Sequence, residues 1–332
     1  MNKCSISVIM ATKDTDEKML RESIESILKQ SFEDFEFIIV CDGSVSNLKI
    51  CKEYQAKDSR IKIIEHKDSK GLPVSLNEAI NVAEGKYIAR MDSDDISLKN
   101  RFSIQYKFLE KNNNINICST FAKNFGDKNK YIVNAFNKPK DSKAHLLVYN
   151  CAVHPTVMIR RSFLIKNNIR YNPQFKYSQD YELWARCCMI TDFYIIPKVC
   201  LLYRVHNKQI STAKIKEQNK LCEEIYYNNL KNLDDDDTLS DVKYLMFLGG
   251  KTYEKISNIE LKNFIKKIIK CNKKKKIYNE VALKKILFFT YAKMIRRNNN
   301  SSISIFDFFY GHVYSVIIKR TYYLIKCKLK II

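Results

Sequence analysis

Absences narrow the class of this 332-residue chain before any motif is read. Only 7 glycines and 5 prolines are present, which excludes collagen-like repeats and linker-dominated architectures. The 11 cysteines show neither CxxC pairing nor metal-ligand spacing. Most sit in apolar runs and read as reduced core residues of a cytosolic protein. No uninterrupted apolar run approaches the roughly 18–20 residues that a membrane-spanning helix needs. Met1-Asn2-Lys3-Cys4 passes straight into a strand pattern without signal-peptide character, so the expected location is cytoplasmic. Helix-turn-helix, zinc-finger and RRM signatures are missing, and nucleic acid is not an expected partner despite a net charge of +22.

What is present suits a folded protein with more than one unit: 45% of residues are hydrophobic and 12% aromatic. Strand and helix patterns alternate through the first half, which predicts an α/β protein with a largely parallel sheet. Strands are expected over residues 6–11, 35–41 and 60–65, with another beginning at Tyr87. Leu20, Ile24, Ile27 and Leu28 recur on one helical face. A helix is expected over 72–83 with Gly85 as its C-cap, and another over 98–109. Beyond 115 the alternation breaks into strands over 115–125, 131–136 and 193–205, with a helix over 179–190. The expected organisation is a catalytic domain over 1–210 and a mostly helical, basic region over 211–332. Within that region Asp234 to Asp237 and Lys273 to Lys276 mark loops or helix ends.

The densest chemistry lies at Asp92-Ser93-Asp94-Asp95, where an apolar strand delivers three carboxylates in four residues. That much negative charge is unfavourable unless a cation or ligand hydroxyls take it up. Aspartates are hard oxygen ligands for Mg²⁺ or Mn²⁺, and Mg²⁺ commonly bridges one or two carboxylates to a substrate phosphate. The other reading is a solvated acidic turn that caps the next helix. Two further loops join it at expected strand ends, Ala11-Thr12-Lys13-Asp14 and Asp42-Gly43-Ser44. Open parallel sheets bind ligands at that edge. The first loop has no glycine, against the pattern of a nucleotidyltransferase.

With Gln179-Asp180-Tyr181-Glu182-Leu183-Trp184 at an expected helix start, the order and spacing of these segments resemble the nucleotide-sugar glycosyltransferases of family 2. The resemblance spans about residues 4–210 and rests also on His154-Pro155-Thr156 and Gly85-Lys86-Tyr87. It implies a GT-A fold, a sheet that binds a nucleotide-sugar between flanking helices. It further implies inverting transfer of a hexose or N-acetylhexosamine from a donor such as a UDP-sugar. The acceptor would be a hydroxyl of a lipid-linked or growing surface glycan.

Roles follow from the matched positions. Thr12, Lys13, Asp14 and Asp42 would hold the nucleotide, with Asp42 accepting from a uracil-type base or serving as a turn residue. Arg60, Lys70 and Gly71 would complete that pocket; Lys70 stands where an Asn is common. Asp92 and Ser93 would lie near the ribose, Arg90 would add positive charge, and Asp94 would ligate Mn²⁺ or Mg²⁺. His206 would contact the metal or diphosphate. Asp180 would be the general base, its other reading being a helix cap. His154, Tyr181 and Trp184 would line the acceptor site, with core packing the other reading for Trp184. Basic and aromatic residues interleave over 303–332 in one or two amphipathic helices suited to an anionic membrane surface, the other reading being an ordinary helical subdomain that packs on the core.

Overall fold

Four consecutive strands build the parallel half of the sheet. β1 (Ile6–Thr12), β2 (Phe35–Asp42), β3 (Ile61–His66) and β4 (Tyr87–Asp92) are joined by α1 (Glu17–Leu28), α2 (Val45–Gln55) and α3 (Leu72–Val82). The structure is a computed structural model that describes residues 4–127, 129–134, 136–206, 214–233, 238–252, 254–297 and 310–329. Every residue of β2 is buried, as expected for a central strand covered on both faces. Side chains alternate across the pleat: Ile6, Val8 and Met10 join one apolar cluster, Ile9 and Ile38 the other. Asp16 caps α1 through Met19 N, and Leu20, Ile24 and Ile27 are buried as their spacing requires.

The chain then departs from strict alternation. β5 (Ile96–Ser97), α4 (Arg101–Lys111), β6 (Ile115–Gly126), β7 (Tyr131–Ile132) and α5 (Pro139–Leu146) follow. A 3₁₀ turn over His154–Thr156 leads into β8 (Met158–Arg160), α6 (Arg161–Lys166), α7 (Gln179–Cys187) and β9 (Asp192–Val205). The nine strands form one mixed sheet in the order β3-β2-β1-β4-β8-β6-β9-β5, with β7 hanging from β6. β8 is antiparallel to both β4 and β6, so it splices the parallel half to the rest.

Two local expectations change. The strand expected over 131–136 stops at Ile132, because Asn134 turns the chain through Phe136 N and sends Phe136 into the core against His145. Gly85 is not a C-cap: Ala83 ends α3, and Gly85 is the point where the chain presses against β1. A Cβ there would lie 2.5 Å from Ser7 N.

Beyond residue 214 the described chain is helical: α8 (Ile215–Lys231), α9 (Thr238–Leu248), α10 (Asn258–Lys275), α11 (Glu280–Arg297) and α12 (Tyr310–Lys328). Lys273–Lys275 close α10, whereas Asp234 to Asp237 and residues 303–309 lie outside the described residues. These helices share a core with the sheet, since Tyr226, Leu245 and Phe264 belong to the same buried cluster as Ile9 and Trp184.

Candidate active site

Strand register decides what meets at the carboxyl edge of the parallel sheet. Ala11 stands beside Asp92, Thr12 beside Cys41, and Asp42 beside His66. β1, β2, β3 and β4 therefore end together, and their loops face one crevice. β5 pairs with β9 and returns the chain end at Val205 to the turn that follows β4. That closure brings His206 Nε2 to 3.0 Å from Asp94 Oδ2, across 112 residues of sequence.

Asp92, Asp94 and Asp95 each offer an oxygen within 4.8 Å of the others. Burial and the charge of Asp92 push the Asp94 carboxyl above its ordinary value. Asp95 is pushed further, by burial and by both neighbouring aspartates. It accepts from Arg204 N at 2.7 Å through Oδ1, while its buried Oδ2 has no hydrogen-bond partner among the described residues. Three carboxylates and an imidazole at one point, with an orphaned buried oxygen, fit a hard divalent cation. Arg204 secures this turn by donating to Asp94 O at 2.6 Å and to Glu22.

Arg90 lies two residues before Asp92 on β4, is buried, and pairs with Asp92 Oδ1 through Nη2. Its Nε and Nη1 have no hydrogen-bond partner among the described residues. Buried guanidinium N–H groups left unpaired are costly, so this side chain is poised to accept a ligand oxygen. Its positive charge acts on both Asp94 and Asp180, lowering each carboxyl.

Asp180 occupies the first turn of α7 and is partly exposed; Ser178 takes the N-cap position. Its Oδ2 accepts from Asn150 Nδ2 at 2.6 Å and its Oδ1 from Tyr181 N at 2.8 Å. Burial raises this carboxyl above its ordinary value, and those two donors pull it down. A fixed, partly desolvated carboxylate with an open face can receive a proton.

The first loop is pinned from two directions. Thr12 Oγ1 donates to Asn47 Oδ1 at 2.9 Å, Thr15 N donates to the same oxygen, and Thr15 Oγ1 meets Ser93 Oγ at 2.7 Å. Lys13 and Asp14 are left exposed at the rim, with Asp14 at a positive φ of 51°. Asp42 has a structural task. Its four acceptor positions receive His66 Nδ1, Lys70 N, Ser69 Oγ and Gly71 N at 2.7–2.9 Å. A carboxylate offers about four lone-pair sites, so none remains for a base. Asp42 shapes the Lys70-Gly71 loop instead, and Lys70 Nζ pairs with Glu78 at 2.9 Å.

Three expected residues lie elsewhere. Arg60 precedes β3 at its amino end, where it pairs with Asp58 and covers the Phe35 ring at 4.3 Å. The length of β3, roughly 20 Å at strand rise, separates it from the crevice. Tyr181 and Trp184 point into the core with Ala185 and Cys188, one helical stripe at i, i+3, i+4 and i+7. Tyr181 OH donates to Leu146 O, and Trp184 packs on His154 and Phe193, so neither presents a ring to a sugar. His154 is buried as well, its Nε2 2.8 Å from Tyr171 OH, beside the Arg90 charge.

Sequence reasoning missed Asn47, Asn150, Arg101 and Arg204. Arg101 is buried beneath β4, donating to Arg90 O at 2.7 Å and to Val157 O at 3.3 Å. Asn47 follows Asp42-Gly43-Ser44 closely and Arg204 precedes His206 by two residues, so proximity to a motif was the available signal. Asn150 carries none.

Residues 7–167 match the profile described as Glycosyl transferase family 2. An uncharacterised glycosyltransferase of Methanocaldococcus jannaschii is 40% identical over 227 residues, covering 66% of this chain and 77% of that protein. The UDP-Glc:alpha-D-GlcNAc-diphosphoundecaprenol beta-1,3-glucosyltransferase WfgD of Escherichia coli is 31% identical over 223 residues, covering 65% and 83%. Among solved structures, residues 1–349 of S. aureus TarS align with a TM-score of 0.61 at 18% identity, covering 91% of this chain and 94% of that one. The same protein in complex with UDP-GlcNAc aligns with a TM-score of 0.58. At such identity the likeness carries the fold, which is GT-A.

Proposed function

Because this chain belongs to glycosyltransferase family 2, we propose that it moves a hexose or N-acetylhexosamine, with inversion, from a UDP-sugar to a glycan hydroxyl. The observation that carries this reading is the presence of two carboxylate centres that the Arg90 charge reaches. One is the Asp92, Asp94, Asp95 and His206 group, the other the separately seated Asp180. The proposed catalytic and donor-binding residues fall within 1–210, and the helices of 211–332 pack on that part of the chain.

The donor lies along the crevice, its nucleotide between the loop from Thr12 to Asp14 and the Lys70-Gly71 loop that Asp42 holds in shape. Ser93 and Asp92 face the ribose. Asp94 and His206, beside Asp92 and Asp95, would hold Mn²⁺ or Mg²⁺, which would supply charge neutralisation at the diphosphate. Arg90 directs its unpaired Nε and Nη1 at a donor oxygen, adding positive charge where negative charge builds as the sugar departs. Asp180, held by Asn150 and Tyr181 N, takes the proton of the attacking hydroxyl on the opposite face of the sugar. His154 supports that side from beneath through Tyr171.

The proposed acceptor is a lipid-linked or growing surface glycan. WfgD, whose own acceptor is a diphosphoundecaprenol-linked sugar, supports this class. Among the described residues no helix is long and apolar enough to cross a membrane. The proposed location is therefore peripheral, at the inner face of the cytoplasmic membrane.

A donor panel tests the reading. The protein is titrated with UDP-, GDP- and dTDP-sugars in Mn²⁺ or Mg²⁺, following binding and slow hydrolysis beside Asp94→Ala. Metal-dependent selection of a UDP-sugar, lost in Asp94→Ala, is expected. A folded protein that binds none of the donors overturns the proposal and leaves a catalytically inactive scaffold.

A further inference from the structure

The final helix, α12, is apolar on two opposite faces, and only one of them is covered. Val316 and Cys327 are buried, and Tyr323 meets Phe121 edge-on at 5.2 Å while accepting from Asn137 Nδ2. That set docks the helix on the sheet. Ile318, Tyr322, Ile325 and Leu329 recur at i, i+4, i+7 and i+11, and each is at least half exposed. At about 100° per residue this second set forms a stripe roughly 60° wide, opposite the docking face.

Nothing else in the described chain resembles it. Apart from Ile317 on the same helix, the other large exposed apolar side chains, such as Val45, Leu239 and Ile259, stand one to an element or loop, as is ordinary for a protein surface. A continuous stripe is the exception that calls for a covering partner.

The charges around the stripe select that partner. α12 carries Lys319, Arg320, Lys326 and Lys328 and no acidic residue. Lys326 lies on one flank of the stripe, with its Nζ 4.7 Å from the centre of the Tyr322 ring, and Lys328 falls on the other flank. A second copy of the same helix would set lysines against lysines. An anionic lipid surface complements both features: the stripe enters the boundary between headgroups and acyl chains while the lysines meet phosphates.

We propose that the outward stripe of α12, Ile318, Tyr322, Ile325 and Leu329 with Lys326 and Lys328 beside it, docks this protein on anionic lipid. This deepens the peripheral location proposed above by naming the surface. The surface is remote in sequence from the catalytic residues, so its failure and that of the transferase reading are separable.

The test is vesicle flotation of the full chain, with vesicles of phosphatidylcholine alone or mixed with phosphatidylglycerol. Binding to the mixed vesicles, weakened by salt and slight on phosphatidylcholine alone, is expected. Ile318→Asp with Ile325→Asp should lower binding at least about tenfold, and Lys326→Glu with Lys328→Glu should lower it on the anionic vesicles. Donor hydrolysis and the thermal unfolding transition of both variants should match the parent, since the exchanged side chains are outside the core. Three results overturn the proposal: no flotation of an active parent protein, undiminished flotation of the aspartate variant, or a parent dimer that this variant dissociates. Loss of donor hydrolysis in the parent, with flotation intact, would refute the transferase reading and leave this one standing.

Discussion

At the scale of single residues, the site works through carboxylates driven in opposite directions. Asp42 receives four donors, with His66 foremost among them, and its carboxyl is held down at about 2 against an ordinary 3.8. Its contribution to stability is therefore complete above pH 4 or so and is lost as pH falls toward 2, an amount of about 2 kcal/mol. Asp42→Asn should reduce stability at neutral pH and flatten its decline between those limits, as urea unfolding at successive pH values would report. An unchanged acid limb would show that the four donors do not depend on the charge. Asp180 is pushed the other way by burial, so its basic form fails at a higher pH than that of an ordinary aspartate. The acid limb of kcat/KM should titrate with it. Asp180→Asn should cut transfer by about 10²–10⁴-fold while leaving nucleotide affinity nearly intact. Full transfer by that variant would remove Asp180 as the base. Asp94→Ala should instead lower metal-dependent donor binding and transfer together, beyond the roughly 10–100-fold typical of losing an outer-shell partner.

At the scale of elements, legibility followed periodicity. The first four strands were short apolar runs and the buried face of α1 a period-3.6 stripe, and the structure keeps them within a residue or so. Features set by a neighbour that is distant in sequence carried no such signal. Gly85 looked like a helix cap because it follows a helix; its task is to let the chain lie against Ile6 and Ser7. The two nearest contacted atoms, Ser7 N and the Ile6 carbonyl carbon, are backbone and cannot swing away, so Gly85→Ala should cost roughly 1–3 kcal/mol in chemical denaturation. A cost near zero would mean that β1 and β4 can part without loss. Arg60 misled for a related reason. Its number places it near a strand, but only the direction of that strand reveals which end of the sheet it occupies. The inward turn of Tyr181 and Trp184 is likewise a matter of which helical face the core claims.

At the scale of the whole molecule, the order of the acidic motifs made the α/β class and the transferase family readable, because parallel strands deliver their loops to one edge. The closure of the proposed metal-binding group was half visible. His206 was singled out in its motif, yet its meeting with Asp94 depends on β9 pairing with β5 at the far end of the sheet. The seam near residue 210 had the appearance of a boundary because composition shifts there. The packing ignores that shift. Tyr226 OH donates to Val148 O, Asn229 to Leu146 O, Tyr149 OH to Leu248 O, and Gln218 to Tyr177 O beside the Asp180 turn. Tyr226, Leu230, Leu245 and Phe264 lie in one apolar cluster with Leu146 and Trp184, so the helices cover the side of the sheet that carries the proposed base. A fragment of residues 1–210 would expose that cluster, leave the Val148 carbonyl without Tyr226 OH and leave the Leu146 carbonyl with Tyr181 OH alone. It should lack a cooperative thermal transition and bind a hydrophobic dye, whereas truncation after α11 should leave the transition in place at lower temperature. A 1–210 fragment that melts cooperatively and still hydrolyses donor would establish the seam as a true domain boundary. It would also reduce the helices to an accessory of the acceptor or the membrane.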